Sequence, residues 1–121
     1  MECAVSELED RWKERWGDEA PVIDCGPGWD ELLLNLDDEL MKIAPDYTIL
    51  QVKEKFGTLR FYASCPEGTN FTKFDGLITT AELASAITCE RCGRPGTLRN
   101  RNGWYKTLCE KHADGTTKEE E

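Results

Sequence analysis

Cys89-Glu-Arg-Cys92 is followed by 16 residues and then by Cys109-Glu-Lys-His112. Three thiols and one imidazole, arranged in two short pairs, are a donor set that suits a tetrahedral zinc ion. A CxxC turn brings two sulfurs to an ion from one side, and the second pair must return from the other. Four such donors fill the coordination sphere. The spacing therefore points to one structural Zn2+ held by Cys89, Cys92, Cys109 and His112. A catalytic zinc would need an open position for water. A redox role for the CxxC would call for a βαβ context, which does not precede it, and would leave the downstream Cys/His pair unexplained. His112 is the only histidine in the chain. Once it ligates metal, no imidazole remains for a general base or for a Ser–His or Cys–His nucleophile pair. The chain reads as non-enzymatic.

These ligands need elements to carry them. Residues 96–99 and 104–108 suit two strands, and Asn102-Gly103 suits a two-residue turn with positive φ. Cys109 and His112 share a face if the chain turns helical there. Knuckle, hairpin and helix start describe a treble-clef-like zinc finger over residues 89–113. Upstream, Leu8, Trp12 and Trp16 recur every four residues, Ser6 and Glu9 fit a capping box, and Gly17 is a stop, which predicts a helix over 7–16. Trp29, Leu32, Leu33, Leu36, Leu40 and Ile43 predict a second helix over 29–43, ended by Pro45. The period then shortens. Residues 47–53 and 58–63 are rich in β-branched and aromatic types and predict a hairpin about residues 54–57. Leu50, Val52, Leu59 and Phe61 would face the core, with Gln51, Lys53, Arg60 and Tyr62 on the opposite face. Phe71, Phe74, Leu77, Ile78, Ala81, Ala84 and Ile87 predict a third helix over 71–88.

The expected fold class is α+β: helices packed on a small antiparallel β-sheet, then the C-terminal finger. Residues 1–88 form an acidic helix-helix-hairpin-helix core, packed as one domain with the finger at 89–113. Residues 114–121 read as a disordered tail.

The 121 residues hold 24 acidic and 15 basic side chains, a net charge of −9. Residues 1–46 alone hold 14 acidic against 4 basic, whereas the finger is basic. As a whole such a chain is repelled by free nucleic acid and by anionic membranes. Three surfaces stand out. Asp30, Glu31, Asp37, Asp38 and Glu39 lie along the second helix; they read first as its solvated face, and beyond that as a nucleic-acid mimic able to fill a basic groove. Lys53, Lys55 and Arg60, with Gln51 and Tyr62, form a basic hairpin face that could bind phosphates or an acidic protein. Its simpler reading is internal pairing with the acidic half. Arg91, Arg94, Arg99, Arg101 and Lys106 decorate the finger beside Trp104, which suits packing over the knuckle. The candidate partner-binding residues are thus Asp30, Glu31, Asp37, Asp38, Lys53, Lys55, Arg60, Arg94, Arg99 and Trp104. Cys3, Cys25 and Cys65 read as small, partly buried hydrophobes, with a Cys25–Cys65 disulfide the disfavoured alternative. Met1-Glu2-Cys3-Ala4-Val5 carries no basic targeting region, and no run nears the roughly 18 apolar residues of a membrane span. The expected setting is cytoplasmic.

Gln51-Val52-Lys53-Glu54-Lys55-Phe56-Gly57-Thr58-Leu59-Arg60-Phe61-Tyr62, Cys89-Glu-Arg-Cys92-Gly93-Arg94-Pro95-Gly96, Gly26-Pro27-Gly28-Trp29 and Gly103-Trp104-Tyr105-Lys106-Thr107-Leu108-Cys109 form a set. Over about residues 20–113 the chain resembles a family of small uncharacterised proteins encoded by bacteria and their phages. The resemblance implies a compact α+β domain ending in a Cys/His zinc finger. A phage setting implies an accessory or counter-defence role. The functional expectation is a zinc-stabilised interaction protein that binds and inhibits a host complex, itself nucleic-acid-binding. The alternative is a zinc-finger protein that binds nucleic acid directly through its basic hairpin and finger faces.

Overall fold

The apolar stripes of the three helices turn most of their residues toward one core. In the computed structural model, which describes residues 7–113 and 117–118, helix α1 (Glu7–Trp16) buries Leu8 and Trp12. The Ser6 cap and Cys3 lie outside the described residues. Helix α2 (Asp30–Ile43) buries Leu33, Leu36 and Leu40 at helical spacing. It begins one residue later than expected, because Pro27–Trp29 forms a 3-10 turn that leads into it. Helix α3 (Phe71–Ser85) is capped by Asn70, whose side chain accepts from the Lys73 N–H at 3.1 Å. It buries Phe74, Ile78 and Ala81. It stops short of residue 88, and Phe71 and Ile87, both expected on its apolar face, are exposed.

The helices cover one face of a sheet ordered β1-β2-β3, where β1 is Ile23–Asp24, β2 Thr48–Lys55 and β3 Thr58–Ser64. Strands β2 and β3 form the expected antiparallel hairpin, while β1 joins β2 in parallel and was not foreseen. Val52, Leu59 and Phe61 point into the core. Leu50 does not: it is 67% exposed, and Ile49 is buried in its stead. The register slips between Ile49 and Gln51, and such a bulge inverts the alternation of every residue before it. The free edge of β3 is closed by α3, since Ser85 Oγ accepts from the Leu59 N–H at 2.8 Å and a Glu82 carboxylate oxygen from the Phe61 N–H at 3.0 Å.

A second sheet, ordered β5-β4-β6, belongs to the C-terminal segment, with β4 at Thr97–Arg101, β5 at Trp104–Leu108 and β6 at Thr117–Lys118. Strands β4 and β5 make the expected hairpin on Asn102-Gly103. Thr117–Lys118 pairs with Arg99–Asn100, so these two residues of the expected tail are a strand. The remainder of that tail lies outside the described residues. The architecture is α+β, with three helices among the described residues. No helix there is long and apolar enough to cross a membrane.

Candidate metal centre

The cysteine knuckle is built from backbone hydrogen bonds before any ligand is considered. Cys89 N–H donates to the Arg94 carbonyl at 2.7 Å, and Gly93 N–H to the Cys89 carbonyl at 2.9 Å. The loop is closed at its base by a bridge between Thr88 and Pro95. Glu90 N–H donates to the Thr107 carbonyl at 2.9 Å, which lays the knuckle against β5. Strand β5 then delivers Cys109, and the 3-10 turn Glu110–His112 swings His112 back, its N–H donating to the Cys109 carbonyl at 3.1 Å.

The result is a cluster of four donor atoms, from Cys89, Cys92, Cys109 and His112, all within 4.8 Å of one another. Cys92 Sγ lies 3.6 Å from Cys109 Sγ, and His112 Nδ1 lies 3.6 Å from Cys89 Sγ and 3.4 Å from Cys109 Sγ. Zinc bond lengths of about 2.3 Å to sulfur and 2.0 Å to nitrogen give tetrahedral edges of about 3.8 and 3.5 Å. These three contacts lie close to those values, and the whole set stays within 4.8 Å. The residues fit one metal site, with His112 presenting Nδ1.

The electrostatics agree with that geometry. Burial opposes ionisation of Cys89 and Cys109, but backbone N–H groups and the neighbouring ligand side chains outweigh it, so both thiols lie below their ordinary value. The Arg94 N–H favours a Cys92 thiolate, yet desolvation and the two facing sulfurs prevail and hold Cys92 above its ordinary value. Three sulfurs this close ionise together only around a cation.

A second layer ties the cluster to the core. Gly28 N–H donates to the Glu90 carbonyl at 2.6 Å, and Gly26 N–H to a Glu90 carboxylate oxygen at 2.8 Å. Trp29 Nε1–H reaches the Thr88 carbonyl at 2.9 Å. A Cβ on Gly28 would stand 2.2 Å from the Cys89 carbonyl oxygen, so only glycine lets the two backbones meet. The Gly26-Pro27-Gly28-Trp29 word is therefore the seat of the knuckle. Lys106 Nζ bridges Glu54 Oε1 at 3.1 Å and Glu90 Oε1 at 3.2 Å, joining β2, β5 and the knuckle. None of these seat contacts was read from the sequence. Two glycines flanking a proline just before a buried tryptophan were the available signal.

The candidate partner-binding residues separate into distinct places. Asp30 and Glu31 line a cleft of about 500 Å³ beside Cys92 and Gly93. Asp37 is a correction: it is wholly buried. Arg15 clasps its carboxylate with two hydrogen bonds of 2.8 Å, Arg11 adds one at 3.1 Å, and the Tyr47 hydroxyl donates at 2.5 Å. Burial works against the Asp37 charge, but the two guanidinium groups and the Tyr47 hydroxyl win and lower its pKa to about 2. Asp38 is held by Arg11 at 2.8 Å, and Glu39 by Lys42 at 3.1 Å. Arg99 is also corrected. It is buried, and its Nε donates to the Leu108 carbonyl at 3.0 Å, so it braces the C-terminal segment from within.

Lys53, Lys55 and Arg60 share the outward face of β2 and β3, as expected, but the internal pairing expected for them is not formed. Among the described residues none of the three is in an ion pair, and the acidic half is served by Arg11, Arg15 and Lys42. Arg94 is exposed on the knuckle. Trp104 is 61% exposed, with the Lys106 ammonium 5.2 Å from its ring centre, and does not cover the knuckle as expected. Cys25 and Cys65 are free thiols, and burial pushes Cys25 up to about 12. Comparison with protein-family models, with curated proteins and with solved structures finds no match to this chain.

Proposed function

We propose that the chain is a non-enzymatic interaction protein whose C-terminal segment is a treble-clef-like finger closed by one structural zinc ion. The observation that carries this reading is the cluster of four donor atoms within 4.8 Å of one another, three of its contacts being 3.4–3.6 Å. Four soft or borderline donors complete a tetrahedron and leave no site for an activated water. The chain's one histidine is spent within it. Knuckle, β4–β5 hairpin and 3-10 turn supply the parts of a treble clef in order. The zinc acts as a fastener, and the surfaces it holds in place do the binding.

Two binding modes compete: a carboxylate mimic on α2 and a basic face on β2–β3. Charge pairing favours the second. Asp37, Asp38 and Glu39 are engaged by cations of the same chain, whereas among the described residues Lys53, Lys55 and Arg60 are not engaged by carboxylates. The resemblance to small bacterial and phage proteins fits an accessory, host-directed role in the cytoplasm. The test is elemental analysis joined to thermal melting. One zinc per chain and a melting temperature that falls on chelation are expected. Metal-free protein with unchanged melting would sink the proposal.

A further inference from the structure

The outward face of the β2–β3 hairpin is a ladder of polar pairs. Gln51 stands opposite Tyr62, Lys53 opposite Arg60, and Lys55 opposite Thr58. The core lies on the other face, where Val52, Leu59 and Phe61 are buried, while Gln51, Lys55 and Tyr62 are exposed. Like charges directly opposite on a ladder destabilise a sheet, yet Lys53 and Arg60 sit so. In a chain of net −9, with 24 carboxylate side chains, neither is neutralised by a described carboxylate. Arg60 Nε is buried without a hydrogen-bond partner. That nitrogen is too buried to meet an external anion itself, but among the described residues the Lys53, Lys55 and Arg60 charges on this face have no carboxylate partner.

The tip of the same hairpin carries the second signal. Phe56 has a φ of 54°, the left-handed region in which a bulky residue is an outlier. The residue is 64% exposed, and the Lys55 ammonium lies 5.7 Å from its ring centre. Strain that displays an aromatic ring to solvent yields no packing in return.

From these observations we infer that the outward β2–β3 face binds single-stranded nucleic acid. Lys53, Lys55 and Arg60 contact successive phosphates, and Phe56 and Tyr62 stack on bases. Lys53 and Lys55 are two residues apart on one strand, about 6.8 Å. The rings distinguish this occupant from an acidic peptide, which has charge for the cations but nothing to stack on them. The inference rests on the interaction-protein reading and gives it a surface and a ligand class.

The test is fluorescence anisotropy of zinc-loaded full chain with a labelled U20 oligonucleotide at two salt concentrations. Three phosphate contacts predict a log–log salt slope of about −2, hence roughly 20-fold weaker binding between 50 and 200 mM salt. Lys53→Glu and Lys55→Glu should each weaken binding about 10-fold, and Phe56→Ala and Tyr62→Ala about 5-fold each. Lys42→Glu, which alters net charge equally from α2, should leave affinity within about 2-fold. Arg60→Ala is read only beside its melting temperature, because its guanidinium is partly buried; the two lysine variants keep the test decisive if it misfolds. No binding at about 100 μM chain and low salt overturns the inference. So does binding that ignores the hairpin variants but is lost in Arg91→Glu/Arg94→Glu. Capture of poly-glutamate through Lys53 and Lys55, with none of U20, overturns the nucleic acid while leaving the interaction-protein reading intact.

Discussion

The molecule contains two hairpins with the same turn and opposite supports. Phe56-Gly57 and Asn102-Gly103 both take φ values of 54° and 88°, the two-residue turn that matches strand twist. The β2–β3 hairpin lays Val52, Leu59 and Phe61 onto a core shared with three helices. Among the described residues, the β4–β5 hairpin has a buried apolar cluster of just Cys89, Leu108 and Cys109. The first can carry an unfavourable turn residue because burial over-determines its shape. The second has the favoured Asn-Gly turn and still needs a fastener, since so small a cluster cannot offset the entropy of ordering the segment. The candidate metal site is thus placed where the hydrophobic effect is weakest.

Chelation is the harshest way to break that comparison. If the cluster holds a structural zinc as proposed, the ion contributes apparent binding free energy on the order of 10 kcal/mol, and its removal should release residues 89–113 first. Hydrogen exchange followed by mass spectrometry is expected to show lost protection across β4, β5 and the knuckle, with Val52, Leu59 and Phe61 still protected. Equal loss in both hairpins would mean that the two supports are one.

What was legible in the sequence follows the same division. The clustering of the four donors and the Asn-Gly turn could be read because their chemistry is local: donor types, spacing, and a turn that tolerates positive φ. The apolar faces of α1 and α2 were legible as periodicity. Leu50 was misplaced because a bulge adds a residue without any mark in composition, and the alternation then inverts. Asp37 and Arg99 read as surface groups in the sequence because charge alone signals exposure. Their partners come from 22 residues away for Arg15 and 9 for Leu108, and no local pattern announces such pairing. The glycines that seat the knuckle were visible only as punctuation, since the backbone they receive lies 62 or more residues downstream, at Glu90.

Asp37→Ala tests the support of the first hairpin. It leaves the Arg15 fork and the Tyr47 hydroxyl, just ahead of β2, without their acceptor, and should cost about 3 kcal/mol by chemical denaturation. Zinc content should not change. Acid titration gives a gentler form of the same test. The folded pKa of Asp37 is about 2, below its value in the unfolded chain, so its contribution is complete above about pH 4. It declines as pH falls toward 2, and in Asp37→Ala that part of the acid dependence should vanish.

Gly28→Ala attacks the join between the regions. The added methyl meets the Cys89 and Glu90 backbone, and the seat must shift. We expect a loss of about 2 kcal/mol, appearing as weaker zinc retention against a competing chelator while the β2–β3 amides stay protected. Unchanged retention would show that the knuckle does not need its seat.

Phe56→Asn should have the smallest effect and the opposite sign. Asparagine tolerates the left-handed region that phenylalanine resists, and Asn102 already occupies the matching position in the other hairpin. The variant should gain about 1 kcal/mol, a rise in melting temperature of about 4 °C, with zinc content unaltered. A turn that can be improved by copying its neighbour is under some constraint other than stability. If Phe56 is kept for its exposed ring, the more stable variant should bind the U20 strand less tightly than the wild-type chain. If Phe56→Asn is more stable and binds equally well, the ring serves no stacking role and the strain at this turn has no functional account. The two hairpins would then differ in what supports them and in nothing else.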